Sequence, residues 1–154
     1  MATRRHVHEE VFSADPATLF AILHTPSAIR GWWGASSAIV LRKQGGMWAA
    51  TWGHEDDPEF ITVATLQVFD PPRRLVLGEY RYFAKTGPLP FDADFTTEFV
   101  VEPHPSGARL RVTQDGFPMD ACADGFYAAC ETGWRNTFAG IRAYLDANAK
   151  SAVQ

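Results

Sequence analysis

The chain reads as an α+β domain in which a curved antiparallel sheet of about seven strands wraps around one long C-terminal helix. Three observations predict this. Between Met119 and Leu145 the apolar residues Tyr127, Cys130, Trp134, Phe138, Ile141 and Leu145 recur at steps of three or four, so one continuous helix face is built for burial. From Ser37 to Gln114 the sequence changes to short strand-like runs separated by turn residues, and tight turns make neighbouring strands antiparallel. Finally, Thr97, Phe99 and Val101 alternate with Thr96, Glu98 and Glu102, and Leu110, Val112 and Gln114 with Arg109, Arg111 and Thr113, giving the sheet one wet and one packed face. The packed face is expected to cradle the helix.

The elements follow in order. Val7 to Phe12 has strand character, and Asp15-Pro16 then supplies an N-cap and a proline at the first helical position, predicting a short helix to about His24. Thr25-Pro26-Ser27 starts a second short helix, expected to end near Gly31 before the pair Trp32-Trp33. Strands are predicted over 38–43, 47–53, 60–69, 75–83, 95–101 and 109–114. Their separators are Gly45-Gly46, the acidic loop His54-Glu55-Asp56-Asp57-Pro58, Asp70-Pro71-Pro72-Arg73, Lys85-Thr86-Gly87-Pro88-Leu89-Pro90, and Pro103-His104-Pro105-Ser106-Gly107. In the strand 75–83, Leu75, Leu77, Glu79, Arg81 and Phe83 share one face and Val76, Gly78, Tyr80 and Tyr82 the other. Both are nearly equally apolar, so periodicity does not orient this strand. The domain is expected to span 7–148, with flexible ends at 1–6 and 149–154.

Length and composition exclude several function classes. A chain of 154 residues can bury a sizeable core within one domain. Fourteen basic against eighteen acidic residues leave a net charge of −4, with no basic stripe for phosphates, which argues against nucleic acid and anionic membrane. No apolar run approaches the roughly 18 residues of a membrane span, and the start lacks a secretory signal, so a cytoplasmic address is expected. Cys122 and Cys130 both fall on the long helix, about 12 Å apart along its axis, too far for an intrachain disulfide. Cys130, on the apolar face, reads as a buried hydrophobe.

Four segments in order resemble a known family: Val11-Phe12-Ser13-Ala14-Asp15-Pro16 leading to Trp32-Trp33-Gly34; Leu41-Arg42-Lys43-Gln44-Gly45-Gly46-Met47-Trp48; Val68-Phe69-Asp70-Pro71-Pro72-Arg73-Arg74-Leu75; and Gly133-Trp134. From about Val11 to Leu145 the chain resembles the START-like, helix-grip (SRPBCC) superfamily, and within it the C-terminal domain of the activator of the ninety-kilodalton heat-shock chaperone's ATPase. The resemblance implies a sheet gripping the long helix with an apolar cavity between them, which in many relatives holds a hydrophobic molecule. It does not fix one activity. No counterpart of the activator's additional N-terminal chaperone-binding domain is expected in these 154 residues, and Gly45-Gly46 is followed by the unusually aromatic stretch Met47 to Trp52.

Candidate site residues are aromatic. Trp32 and Trp33 stand at the tip of the helical elbow, Trp48 and Trp52 on one face of a strand, and Tyr80 and Tyr82 on one face of another. Tyr127 and Trp134 come from the helix, and Phe91 from a connector, 84–91, that Leu89 and Phe91 make a candidate gate. Together they could line a pocket for a flat apolar ligand or simply fill the core. Acid–base candidates are few: Glu79 would need Arg81 or a tyrosine as partner if buried, and reads as a surface residue. His54-Glu55-Asp56-Asp57 projects in diverging directions and reads as a solvated turn, and His6 and His8 share a strand face without further ligands. No nucleophile elbow or phosphate loop occurs. No catalytic residue, metal or cofactor is expected.

The function expected is therefore binding or sensing of a small hydrophobic molecule, by a monomer or homodimer. The alternatives are a co-chaperone-like partner of a heat-shock ATPase in a stress response, which the resemblance alone suggests, and a cyclase- or hydrolase-type enzyme using the cavity.

Overall fold

The structure, a computed structural model, describes residues 2–153. Strand β1 (Thr3–Phe12) precedes two short helices, α1 (Pro16–Ile22) and α2 (Pro26–Trp33). The Asp15 carboxylate accepts from the Thr18 amide at 2.8 Å, satisfying one of the donors that a helix start leaves free, with Pro16 behind it. Helix α2 also starts at a proline, but runs past Gly31 and through both tryptophans. It stops at Gly34, whose left-handed conformation (φ 72°) lets the chain turn away. Glycine, not the bulk of the tryptophans, sets that end.

Six further strands follow: β2 (Ser37–Val40), β3 (Met47–His54), β4 (Asp57–Asp70), β5 (Arg74–Ala84), β6 (Thr96–His104) and β7 (Gly107–Pro118). They form one antiparallel sheet in the order β1-β7-β6-β5-β4-β3-β2, so the first two strands lie at opposite edges. The α1–α2 elbow carries the chain between those edges. The β3–β4 connection is tighter than the five-residue acidic loop expected, because β3 runs to His54 and β4 starts at Asp57.

A single 3-10 turn, Ala121–Ala123, leads into α3 (Asp124–Val153). Cys122 therefore sits in that turn and is exposed, while Cys130 is on the helix; both are free thiols. Elements reach beyond the 7–148 span, since β1 pairs with β7 from Thr3 onward and α3 continues to Val153; Met1 and Gln154 lie outside the described residues. Helix α3 meets α2 closely at Gly140, where a Cβ would stand 2.4 Å from the Trp32 carbonyl oxygen. The apolar face read from the sequence is the one buried. Trp134, Phe138 and Ile141 join Phe12, Phe20, Leu66, Phe99 and Leu110 in the core between helix and sheet. No helix among the described residues is long and apolar enough to cross a membrane.

Candidate functional site

The other four tryptophans of the chain converge on Trp33, the last residue of α2. Its ring stacks on Trp32 at 4.8 Å and approaches Trp48, Trp52 and Trp134, each at 5.6 Å between ring centroids. Backbone groups hold the set in place. The Trp32 indole donates to the Ile22 carbonyl at 2.8 Å, tying α2 to the end of α1, and the Trp52 indole donates to the Trp33 carbonyl at 3.2 Å, tying α2 to β3. Beside this set, space is left between α3 and the sheet. A cavity of about 300 Å³ opens there, bounded by Trp33, Trp48 and Trp52 on one side and by Phe126 and Cys130 of α3 on another.

Two irregularities in the sheet aim the remaining wall residues. Opposite Ala64, strand β5 carries the two residues Glu79 and Tyr80, with Glu79 at φ 50°: a bulge that changes which side of the strand faces inward. Leu75 and Leu77 are buried before it; after it Tyr80 and Tyr82 face the cavity and Glu79, Arg81 and Phe83 are exposed. A compensating extra residue, Gln67 on β4, restores the register. Strand β7 repeats the device. Asp115 and Gly116 (φ 93°) together oppose Arg5, so Gln114 and Phe117, three residues apart, both line the cavity. Phe60 and Thr62 of β4 and Leu89 and Phe95 of the β5–β6 connector complete the wall.

One corner of the cavity is polar. The Thr97 hydroxyl oxygen, on β6, accepts from the Tyr80 hydroxyl at 2.8 Å and from Gln114 Nε2 at 3.3 Å. Tyr80 retains accessible surface although protein surrounds it on every side, so that surface belongs to the cavity and not to bulk water. Burial pushes its phenol well above the ordinary range, against the opposing pull of the Thr97 hydrogen bond. Burial also raises Tyr82, with Cys130 adding to the effect, and pushes the Cys130 thiol up to about 11. All three groups are neutral at physiological pH. None of the cavity-lining side chains among the described residues carries a carboxylate, imidazole, amine or guanidinium.

Of the aromatic residues singled out in the sequence, Trp33, Trp48, Trp52, Tyr80 and Tyr82 line the cavity. Trp32 and Trp134 stand one layer behind, in the core against Trp33. Phe91 packs on Phe126 at 5.6 Å and on Phe95 at 6.2 Å, outside the wall itself. Tyr127 turns to the other side, its hydroxyl donating to the Arg5 carbonyl at 2.9 Å. The wall residues not anticipated as a group are Phe60, Thr62, Phe95, Phe117 and Phe126. Phe126 lies four residues before Cys130 on the same helical row, a spacing visible in the sequence; Phe117 is brought in by the bulge that Gly116 marks.

The family model for activator of Hsp90 ATPase homolog 1-like proteins matches residues 13–146, which includes every wall residue of the cavity. The chain belongs to that family. Solved structures similar to this member of the activator-homolog family show the same fold. A protein from Mesorhizobium loti is 22% identical with a TM-score of 0.75, over 93% of this chain and 97% of the other. One from Rhizobium leguminosarum is 18% identical with a TM-score of 0.76, over 94% and 95%. One from Staphylococcus aureus, described as a protein of unknown function, is only 7% identical yet reaches 0.76 over 97% of both chains. No curated protein matches the chain at a significant level.

Elsewhere in this activator-homolog domain the titratable groups are disposed differently. His6 is 5% exposed and hydrogen-bonded through Nδ1 to His8 Nε2 at 2.9 Å, while its buried Nε2 has no partner. Phe117 and Tyr127 pack on its ring at 5.1 and 5.3 Å. Burial first and the neighbouring His8 second lower His6 to about 4, with Glu131 on α3 opposing both. Burial also lowers His8, with Glu131 opposing and Arg135 assisting. His54 Nδ1 accepts from the Asp56 amide at 3.0 Å, and Asp57 pairs with Lys85, so the acidic segment is a turn held by its own contacts. Among the described residues no three His, Cys, Asp or Glu side chains converge as metal ligands.

Proposed function

We propose that this protein binds a small hydrophobic molecule in the cavity between the sheet and α3. The observation that carries the reading is the cavity's composition: nine of its thirteen wall residues are aromatic and none is charged, around about 300 Å³ of space. Aromatic walls of this size with a single polar corner are the ordinary make-up of a small-molecule site. A core with no ligand to hold would be expected to fill such space, because unfilled volume forfeits dispersion contacts. The titratable groups among the described wall residues, Tyr80, Tyr82 and Cys130, are held in their neutral forms by burial, away from the near-neutral poise a general acid or base needs, which favours binding over general acid–base catalysis.

Native mass spectrometry of protein purified without added ligand tests this. A retained small molecule, or saturable uptake of an apolar probe that Tyr82→Arg abolishes in the folded protein, is the expected result. A cavity that neither retains nor takes up any apolar molecule overturns the reading. The family's description then makes stimulation of the Hsp90 ATPase the next assay.

A further inference from the structure

We propose that the outer face of the sheet over β2 to β5 is a self-association surface, on which two copies of this chain pack face to face about a two-fold axis running along the strands.

The register divides the outer face into two unlike halves. The core and the cavity take Val40, Trp48, Ala50, Thr62 and Tyr82 on the inner side, so the residues that alternate with them point outward. Over β6, β7 and β1 the outward positions are charged and pair across strands. Arg109 meets Glu9 at 3.2 Å and Glu102 at 3.9 Å, and Arg74, at the start of β5, meets Glu98 at 2.8 Å. That half is suited to water, as one face of an antiparallel sheet commonly is. Over β2 to β5 the outward set is apolar instead. Ile39, Ala49 and Val63 stand side by side across three strands, and Ile61 stands beside Phe83 in the next row. Met47 extends the patch on the other side, with Leu41 next to it through the hydrogen bond from the Leu41 amide to the Met47 carbonyl at 2.8 Å. Ile39 is 64% exposed and Phe83 48%, so the chain itself leaves the patch open. Among the described residues the one charge inside these rows is Arg81, beside Val63, with its guanidinium 5.7 Å from the centre of the Phe83 ring.

A second copy is the occupant that fits. A single arginine gives an acidic partner or an anionic membrane little to hold, and the rows offer a basic partner no carboxylate. Each copy carries a net charge of −4, and like-charged copies meet at least cost where acidic groups are absent. Extent agrees with a weak dimer. Four strands at roughly 4.8 Å and three rows at roughly 6.8 Å cover about 400 Å². Two such faces, with their corrugation and rim, bury on the order of 1,000 Å², which is the lower end of specific interfaces and the range of transient ones. A two-fold along the strands lays β5 of each copy over β2 of the other, in the manner of aligned sheets. The two Arg81 side chains then stand on opposite flanks of the contact, with their charged ends in water.

The test is sedimentation velocity of the full chain at pH 7 across the micromolar range. A reversible monomer–dimer equilibrium is expected, and Ile39→Lys and Phe83→Lys should each weaken it on the order of tenfold or more, with circular dichroism and melting temperature unchanged. Val7→Lys is the control, because Val7 is 51% exposed on β1 in the charged half and its substitution should leave the equilibrium as it was. Met47→Lys replaces either test variant should that one not fold. A parent chain that stays monomeric at millimolar concentration overturns the proposal, as does a dimer that the lysine variants leave intact or that Val7→Lys weakens equally. Loss of the dimer through Ile39→Lys alone would mean pairing along the β2 edge, and would overturn the face-to-face arrangement.

Discussion

Acid should destabilise this fold through His6. In the unfolded chain the imidazole takes up a proton near its ordinary value of 6.5, whereas folded His6 stays neutral down to about 4. Between those values the unfolded state binds more protons, so stability present at neutral pH is lost as pH falls through this window. With each unit worth about 1.4 kcal/mol, and half-protonation of the folded form at its lower limit, the loss attributable to His6 by pH 4 is about 3 kcal/mol. The carboxylates add a further acid-dependent loss, Asp15 among them because the Thr18 amide and hydroxyl hold its carboxyl low. They do so equally in a variant without the imidazole. His6→Phe is that variant, since the ring lies against Phe117 and Tyr127 and its Nε2 has no partner to lose. Urea midpoints from tryptophan fluorescence, taken from pH 7 to pH 4, should fall more steeply for the parent, the difference reaching about 1 to 3 M. His8 shares a hydrogen bond with His6, so the pair titrates together and the step is not assigned to one ring alone. Parallel profiles for parent and variant would refute the argument, as would an NMR titration showing His6 protonated at pH 6.

Trp134→Ala should lower stability by about 3 to 5 kcal/mol, because the indole is 4% exposed among Trp33, Phe99 and Phe138; an unchanged denaturant midpoint would contradict it. Gly46→Val should cost about 2 kcal/mol or more, since a Cβ there would stand 2.0 Å from the Leu41 carbonyl oxygen. Gly46 is not in the cavity wall, so affinity for a bound probe in the remaining folded protein should be unaffected, as titration corrected for the folded fraction would show. Phe91→Ala should speed probe release in stopped-flow displacement more than it lowers the melting temperature, because Phe91 braces Phe95 and Phe126 from outside the wall; equal release rates would leave the connector without a gating role.

Much of this architecture could be read from residue spacing. The row from Tyr127 to Leu145 marks the packed side of α3, and Asp15-Pro16 marks the start of α1, because helical period and capping are local chemistry. The cavity wall was legible only in part. Its tryptophans and tyrosines stand out by type, but in β5 a strict alternation cannot be right for both halves: the Glu79 bulge lets Leu75 and Leu77 face inward and then Tyr80 and Tyr82 as well. Glutamate gives no hint of a left-handed backbone, so nothing in the strand's own sequence announces the switch. Gly116 does give that hint in β7, and a bulge there would have led to Phe117. Separating lining from backing residues, Trp33 from Trp32 for example, depends on a helix end displaced by two residues, which local signals place only loosely.

The sheet's order also governs when the molecule can close. Thr3 faces Pro118 and Phe12 faces Ala108, so the first strand finds its partner only in the last one. On the ribosome β1 must wait, unpaired, until nearly the whole chain has emerged, while the successive hairpins from β2 to β7 can form as they are made. Docking β1 is then a late event dominated by loop-closure entropy, and it is the step that seals one edge of the sheet. Joining the two ends and opening the chain in the β3–β4 turn at Glu55-Asp56 would shorten that closure and hand the long-range pairing to β3 and β4. Such a permutant should retain the same aromatic chamber, with β3 docking on β4, and no longer β1 on β7, as its late step.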